Sequence, residues 1–305
     1  MPIDIVAPEE RYLDLLKKSL INLLYLENEV RLIYILLSVV AGQPIDIKTI
    51  REMEKDDHPI LKVLRDRRGE GQIQFIWNYP DGKSGETKSI NLRDATEVAH
   101  TMIGGKRLDN IHRCLDVIMR DRVPGDVMET GVWRGGAVVF MRGYLAAYNM
   151  TDRTVWAADS FAGLPKPATP EDAGYDFSVD VHPILAISLE EVQQLFAKYG
   201  LLDEQVQFVK GWFHESLPNV PVKELALLRL DGDLYKSTRD ALVNLYHKVV
   251  PGGFIIIDDY GDFQPCQKAV DEFRLQNNIR EPIERIDWTG VFWRKGDNCS
   301  IYPKL

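Results

Sequence analysis

Acidic residues directly follow two apolar stretches in the second half of the chain. One stretch ends in Asp231-Gly232-Asp233 and the other in Asp258-Asp259. If both stretches are parallel strands, three or four carboxylates meet at one edge of a sheet. Like charges brought together are unfavourable unless a cation or a proton neutralises them. Oxygen ligands select a hard cation, so the pattern predicts a magnesium site.

The first acidic motif has a second interpretation. Asp-x-Asp motifs are common in loops, and they also occur in glycosyltransferases that bind a metal-bridged nucleotide diphosphate. The motif Asp231-Gly232-Asp233 alone therefore leaves glycosyl transfer open. The additional pair Asp258-Asp259 favours a metal site.

A glycine-containing turn follows another apolar stretch and carries one acid, Glu129, with Gly131 and Gly135 behind it. Trp133 stands where a dinucleotide fingerprint has its middle glycine, which disfavours a pyrophosphate. The spacing acid-x-Gly-x-x-x-Gly matches the turn that holds the amino-acid end of S-adenosylmethionine in methyltransferases. A tight turn packing a helix on a strand explains these glycines equally well.

Two later positions favour a nucleoside ligand. Asp159 closes the next apolar stretch, where a carboxylate can accept hydrogen bonds from both ribose hydroxyls, although it can equally cap the turn at residues 160–163. The segment Gly211-Trp212-Phe213 offers flat apolar surface for an adenine, or else belongs to the core. His214 follows that segment and is either a base or a solvated histidine.

The elements that position these residues alternate along the chain. Five short apolar stretches between residues 127 and 257 each stop at a polar residue or glycine, and helical stretches lie between several of them, at residues 136–148, 188–199 and 238–249. This alternation predicts an α/β protein with a doubly wound, mostly parallel sheet. A helix near residues 264–276 and two strands, 283–286 and 291–295, complete seven strands.

The first third of the chain has a different pattern. Apolar residues recur at helical spacing over residues 10–41, which predicts one helix there. The alternating stretch 73–77 before a turn at 80–82 favours a hairpin. We predict a helical N-terminal extension with a charged insertion over residues 1–98 and the main domain over residues 99–305. The apolar stripe packs on the main domain, forms a dimer contact or serves as a lid.

Composition excludes several classes of protein. The 305 residues are 45% hydrophobic and 27% charged, which is typical of a globular protein. A net charge of −9 excludes the basic field that binds nucleic acid. No apolar run reaches the ~18 residues that span a bilayer, the N-terminus does not resemble a signal peptide, and the cysteines lack zinc-site spacing. We expect a cytoplasmic protein without nucleic-acid or membrane partners.

Six ordered segments resemble the macrocin O-methyltransferase family, namely AHTMIG (99–104), ETGVWRGG (129–136), ADSFAGLP (158–165), KGWF (210–213), LDGDLYKST (230–238) and IDDY (257–260). That family has a Rossmann-like class I methyltransferase fold. It methylates sugar or phenolic hydroxyls of antibiotics and similar secondary metabolites with S-adenosylmethionine and Mg²⁺. The resemblance runs from about residue 99 to the C-terminus and includes a helix near residues 12–25. Residues 26–98 show no family pattern.

The motifs and the resemblance together imply a set of cofactor contacts, namely Thr101, Met102, Glu129, Gly131, Trp133, Gly135, Asp159, Ser160, Ser188, Gly211, Trp212 and Phe213. The resemblance further implies that Asp231, Asp258 and Asp259 bind the metal. Some relatives carry a histidine three residues after the first metal aspartate, where this chain has Leu234. The resemblance therefore assigns the catalytic base to Asp231 itself.

The predicted activity is methyl transfer from S-adenosylmethionine to a hydroxyl of a small molecule, assisted by Mg²⁺. The apolar N-terminal helix favours a homodimer or a larger homo-oligomer. Two alternatives remain at this point: a metal-dependent glycosyltransferase and a non-catalytic scaffold with a methyltransferase fold. A nicotinamide oxidoreductase is disfavoured by Trp133.

Overall fold

The computed structural model describes residues 6–53, 72–77, 86–91 and 99–296. They divide into two compact units. One lies within residues 15–105, and the other, called the sheet unit here, consists of the described residues up to 14 and those from 106 onward. The predicted division between residues 98 and 99 lies close to the second of these boundaries and stays a prediction.

Three helices occupy the start of the chain, namely α1 (Pro8–Leu20), α2 (Leu26–Val40) and α3 (Ile47–Met53). The prediction of one helix over residues 10–41 is therefore wrong. Asn22 adopts a left-handed backbone with φ 54°, and the amide of Leu23 donates to the carbonyl of Lys18 at 2.7 Å. This is the usual hydrogen-bond pattern of a helix end, and asparagine tolerates the left-handed region better than most residues.

A hairpin-like pair of strands lies within the 15–105 unit. β1 (Gln72–Trp77) pairs antiparallel with β2 (Glu86–Asn91), with Gln72 opposite Asn91 and Trp77 opposite Glu86. The predicted pairing is confirmed, whereas the turn predicted at residues 80–82 lies outside the described residues.

Seven strands of the described chain form one sheet: β3 (Asp126–Thr130), β4 (Val155–Asp159), β5 (Val206–Lys210), β6 (Leu225–Leu230), β7 (Val249–Ile257), β8 (Glu284–Arg285) and β9 (Val291–Arg294). Their spatial order is β5-β4-β3-β6-β7-β9-β8, and the first five are parallel. β9 runs antiparallel to β7 and to β8. This confirms the predicted doubly wound, mostly parallel sheet, whose strand order reverses beside β3.

Six further helices flank or follow these strands: α4 (Gly104–Asp121), α5 (Gly136–Ala147), α6 (Leu189–Lys198), α7 (Phe213–Ser216), α8 (Tyr235–Leu245) and α9 (Gln264–Gln276). α8 begins three residues before the helix predicted over residues 238–249 and ends four residues before the predicted end, because β7 already begins at Val249. No helix among the described residues is long and apolar enough to cross a membrane.

The central strand of the sheet, β6, lies within the hydrophobic core. All six residues of β6 are buried, and five of them are leucine or alanine. Each fully buried leucine contributes roughly 1.5–3 kcal/mol to the free energy of folding. The sixth residue is Arg229, whose charge in an apolar strand requires compensating partners.

Candidate active site

The turn after β3 contacts the end of β6 through a glycine. Gly131 has φ +83°, and a Cβ atom there would lie 1.7 Å from the carbonyl oxygen of Asp231. Only glycine permits both the backbone conformation and this approach. The contact joins the turn after β3, residues 131–135, to Asp231, the first aspartate of the acidic motif. We call these five residues the cofactor turn, because the sequence predicts that they hold the cofactor.

We predict that Gly131→Ala destabilises the sheet unit more than Gly174→Ala does. Gly174 has a similar φ of +90°, but nothing lies within 4 Å of its Cβ position. Both variants lose roughly 1–2 kcal/mol of unfolding free energy to the left-handed backbone. Gly131→Ala loses a further ~1–3 kcal/mol, because a backbone carbonyl must move. Urea unfolding of the two variants measures the difference, and equal losses would contradict the steric explanation.

Glu129 lies at the end of β3 with its side chain almost fully buried. β3 and β6 pair in a register that sets Glu129 beside Arg229, which donates a hydrogen bond to Glu129 Oε1. Oε2 accepts no hydrogen bond from any residue that the structure describes. Burial raises the pKa of Glu129 to about 8, although Arg229 opposes the shift. An unsatisfied buried carboxylate oxygen is suited to a cationic ligand.

Asp159 connects two turns at the end of β4. Its Oδ2 accepts from the amide of Val132 at 2.7 Å, and its Oδ1 accepts from the amide of Phe161 at 2.8 Å. Burial raises the pKa of Asp159, and these backbone hydrogen bonds counteract that shift. Ser160 donates its hydroxyl to the carbonyl of Gly163 at 2.6 Å. The carboxylate therefore caps its own turn and also holds the cofactor turn, and its contact with a ribose stays a prediction.

Trp133 and Gly135 shape the rest of the cofactor turn. Trp133 has φ +46°, and its indole Nε1 donates to the carbonyl of Ile184 at 3.1 Å. Gly135 has φ +90°, and a Cβ there would lie 2.8 Å from a methyl group of Val192. The turn is thus held by the segment after β4 and by α6, which gives both residues a packing role beside the predicted cofactor role.

The remaining predicted cofactor residues of the sheet unit have structural partners. Ser188 caps α6, because its hydroxyl accepts from the amide of Glu191 at 3.2 Å. Gly211 donates its amide to the carbonyl of Asp159 at 2.9 Å, which brings the segment Gly211-Trp212-Phe213 to the same sheet edge. Phe213 packs against the hydrophobic core, as the alternative interpretation expected.

Thr101 and Met102 belong to the 15–105 unit. Within that unit, the hydroxyl of Thr101 accepts from the amide of Ile103 at 3.4 Å. Their predicted contact with a cofactor in the sheet unit stays a prediction.

Three aspartates converge at the carboxyl ends of β6 and β7. Asp231, Asp233 and Asp259 each bring an oxygen within 4.8 Å of the others, and we call them the acidic cluster. The amide of Asp233 donates to Asp259 Oδ2 at 3.1 Å. Burial and the neighbouring carboxylates raise the pKa of Asp259 well above its ordinary value. Burial and the carboxylate of Asp258 raise the pKa of Asp231 to about 6. A cation would relieve this repulsion.

Each carboxylate oxygen of Asp258 accepts a hydrogen bond from a different arginine. Arg229 donates to Oδ1 and Arg107 donates to Oδ2, and both arginine side chains are buried. The Nε of Arg107 also donates to Asp287 Oδ2 at 2.8 Å. Of the three predicted metal ligands, Asp231 and Asp259 therefore lie in the acidic cluster together with Asp233. The role of Asp258 as a ligand stays a prediction.

The two arginines were not among the residues predicted from the sequence. Arg229 had a detectable signal, since it interrupts the apolar run of β6 two residues before Asp231. No feature of the sequence around Arg107 indicates that it belongs to the site. It lies 151 residues before Asp258 in the chain and 180 residues before Asp287, so only the fold brings it to the site.

A further acid, Asp172, supports the acidic cluster from the segment after β4. It is fully buried, and its two oxygens accept from the amides of Tyr235 at 2.6 Å and Lys236 at 3.2 Å. It therefore caps the first turn of α8, where a carboxylate also interacts favourably with the helix dipole. α8 begins two residues after Asp233, so this cap helps to hold the loop that carries the acidic cluster.

Comparison with known proteins identifies the family of this chain. The family model for macrocin-O-methyltransferase (TylF) matches residues 9–295. The chain belongs to this family. The matched range also spans residues 26–98, for which the sequence motifs predicted no family resemblance.

Two named relatives and one solved structure are also similar to the chain. It is 49% identical over 217 residues to the 8-demethyl-8-(2,3-dimethoxy-alpha-L-rhamnosyl)-tetracenomycin-C 4'-O-methyltransferase of Streptomyces olivaceus, covering 70% of this chain and 82% of that one. It is 51% identical over 206 residues to the demethyldecarbamoylnovobiocin O-methyltransferase of Streptomyces niveus, covering 67% and 78%. The solved structure of the O-methyltransferase NovP matches with a TM-score of 0.70 and 39% identity, covering 94% and 99%.

These findings confirm the predicted activity class. The chain is an O-methyltransferase with the class I methyltransferase fold, and the family implies S-adenosylmethionine as the methyl donor. They fit methyl transfer and support neither a glycosyltransferase nor a non-catalytic scaffold.

Proposed function

We propose that this enzyme methylates a sugar or phenolic hydroxyl of a secondary metabolite, with Mg²⁺ bound at the acidic cluster. The observation that carries the proposal is the contact between two turns: Gly131, in the cofactor turn, packs against the backbone of Asp231 in the acidic cluster. A methyl donor and a metal-oriented hydroxyl would therefore meet at one sheet edge. The names of the relatives support the acceptor class, since two of them methylate tetracenomycin and novobiocin compounds.

The residues present fit the cofactor. The methionine part of S-adenosylmethionine carries an ammonium group, and Glu129 Oε2 is a buried acceptor with no partner among the described residues. Asp159 lies on the neighbouring strand β4, at the position where class I enzymes bind a ribose. We assign Glu129 to the ammonium and Asp159 to the ribose hydroxyls.

The residues present also fit a divalent cation. Two arginines, Arg107 and Arg229, pair with Glu129, Asp231, Asp258 and Asp287, and Asp231 also belongs to the acidic cluster. Carboxylate oxygens held within 4.8 Å of one another favour a hard cation, for which Mg²⁺ is our assignment. Asp231 and Asp259 are ligands in this proposal, and either Asp233 or Asp258 supplies the third carboxylate.

The proposed reaction is an in-line displacement. The acceptor oxygen forms a bond to the methyl carbon while the carbon–sulfur bond breaks, and sulfur keeps the electron pair as S-adenosylhomocysteine. Asp231 receives the hydroxyl proton, and a positioned base of this kind contributes about 10²- to 10⁴-fold. A cation among these carboxylates would stabilise negative charge that develops on the acceptor oxygen. Holding both reactants in place contributes a further ~7–11 kcal/mol.

Calorimetric titration of the metal-stripped protein tests the proposal. We expect S-adenosylhomocysteine and MgCl₂ to bind and UDP-glucose, the control, not to bind. Binding of UDP-glucose alone would overturn the proposal. Asp233→Asn and Asp258→Asn then distinguish the third ligand, because the variant with the weaker Mg²⁺ affinity has lost it.

The proposal also includes the type of acceptor, the cellular compartment and the oligomeric state. The acceptor is a small molecule rather than a nucleic acid or a membrane, in keeping with the net charge of −9. We place the enzyme in the cytoplasm and expect a homodimer or a larger homo-oligomer, which light scattering of the purified protein would measure.

A further inference from the structure

One buried guanidinium lies between the cofactor turn and the acidic cluster. Arg229 is fully buried in β6, the strand between β3 and β7. The register sets Arg229 opposite Glu129 on one side and opposite Ile256, two residues before Asp258, on the other. The sheet therefore fixes the position of this side chain between the two halves of the site.

The hydrogen bonds of Arg229 reach both halves. Its Nη1 donates to Glu129 Oε1 and also to Asp231 Oδ2, the latter at 2.9 Å. Its Nη2 donates to Asp258 Oδ1. Arg229 Nη1 is thus shared between Glu129, which we assign to the cofactor, and Asp231, which we assign to the metal. Any change in the charge or position of Asp231 alters the interaction that holds Glu129.

We propose that Arg229 is a positioning residue that couples metal binding to cofactor binding, so that Mg²⁺ at the acidic cluster tightens the site for S-adenosylmethionine. The inference rests on the proposed function. A cation that neutralises Asp231 reduces the competition for Nη1, so that Arg229 holds Glu129 more firmly with its second oxygen available to the cofactor. Asp231 and Asp258 also contribute to the raised pKa of Glu129, and a cation among them favours the ionised carboxylate that an ammonium needs.

The other buried arginine provides a matched control. Arg107 also donates to Asp258, but its Nε donates to Asp287 rather than to Glu129 or Asp231. A lysine at either position keeps the charge and loses the planar fork that reaches several carboxylates at once. Arg229→Lys and Arg107→Lys therefore make the same chemical change, and only the first removes the link to Glu129.

The experiment measures S-adenosylhomocysteine affinity by calorimetry with and without MgCl₂. In the wild type we expect Mg²⁺ to tighten binding by about 5- to 150-fold, the usual range for coupled sites, and S-adenosylhomocysteine to tighten Mg²⁺ binding by the same factor. In Arg229→Lys the factor falls to about one, whereas Arg107→Lys keeps it. A purely structural role for Arg229 would lower the thermal midpoint and leave the factor unchanged.

A second variant keeps the test decisive if Arg229→Lys does not fold. Glu129→Ala removes the acceptor that shares Arg229 Nη1 with Asp231, so the coupling factor must again fall to about one. A wild-type protein that binds both probes without coupling, or with Mg²⁺ weakening cofactor binding, overturns this inference alone. A wild-type protein that binds neither probe overturns the proposed function as well.

Discussion

Asp231→Asn lowers kcat for methyl transfer by about 10²- to 10⁴-fold at saturating Mg²⁺, S-adenosylmethionine and acceptor. The amide keeps the size of the side chain, and its oxygen can still accept the hydrogen bond from Arg229. It cannot take the proton of the acceptor hydroxyl. Initial rates with a purified sugar or phenol acceptor measure the loss.

The matched control for this variant is Asp262→Asn. Asp262 is an exposed acid three residues beyond Asp259 in the same edge loop, so the change removes a charge nearby without touching the acidic cluster. We expect its kcat to match the wild type. If Asp231→Asn requires a higher Mg²⁺ concentration but reaches the wild-type kcat at saturation, Asp231 serves only as a ligand. A wild-type kcat with an unchanged Mg²⁺ requirement would exclude both roles.

Glu129→Gln weakens S-adenosylhomocysteine binding by about 10- to 150-fold in the presence of Mg²⁺. A hydrogen bond to a charged group contributes about 1.5–3 kcal/mol, and the neutral amide cannot pair with the ammonium as a carboxylate does. Calorimetry measures the dissociation constant. The thermal midpoint of the ligand-free variant separates lost binding from lost stability.

Glu190→Gln is the control for the cofactor variant. Glu190 is exposed in the first turn of α6 and carries the same charge. We expect its dissociation constant to stay within about twofold of the wild type, as is usual for surface substitutions. If the two variants bind equally well, Glu129 does not hold the ammonium and the assignment of its unpartnered oxygen fails.

The local sequence determined the sheet and the type of chemistry. Short apolar stretches that end at Glu129, Asp159, Asp231 and Asp258 are enough to predict parallel strands with polar ends, because hydrophobic periodicity and strand ends are local properties. Gly131 was equally visible as a turn glycine, although its contact with the Asp231 backbone was not.

The tertiary structure decided which carboxylates meet and which have cationic partners. Arg107 and Asp172 lie 151 and 63 residues from the groups that they contact, Asp258 and Tyr235, and no spacing rule connects such positions. Strand register then placed Arg229 between Glu129 and Asp231. Sequence alone determined the residue types and the strand ends, because these depend on neighbours along the chain. The charge network depends on strand pairing and helix packing, which join residues that are distant in sequence.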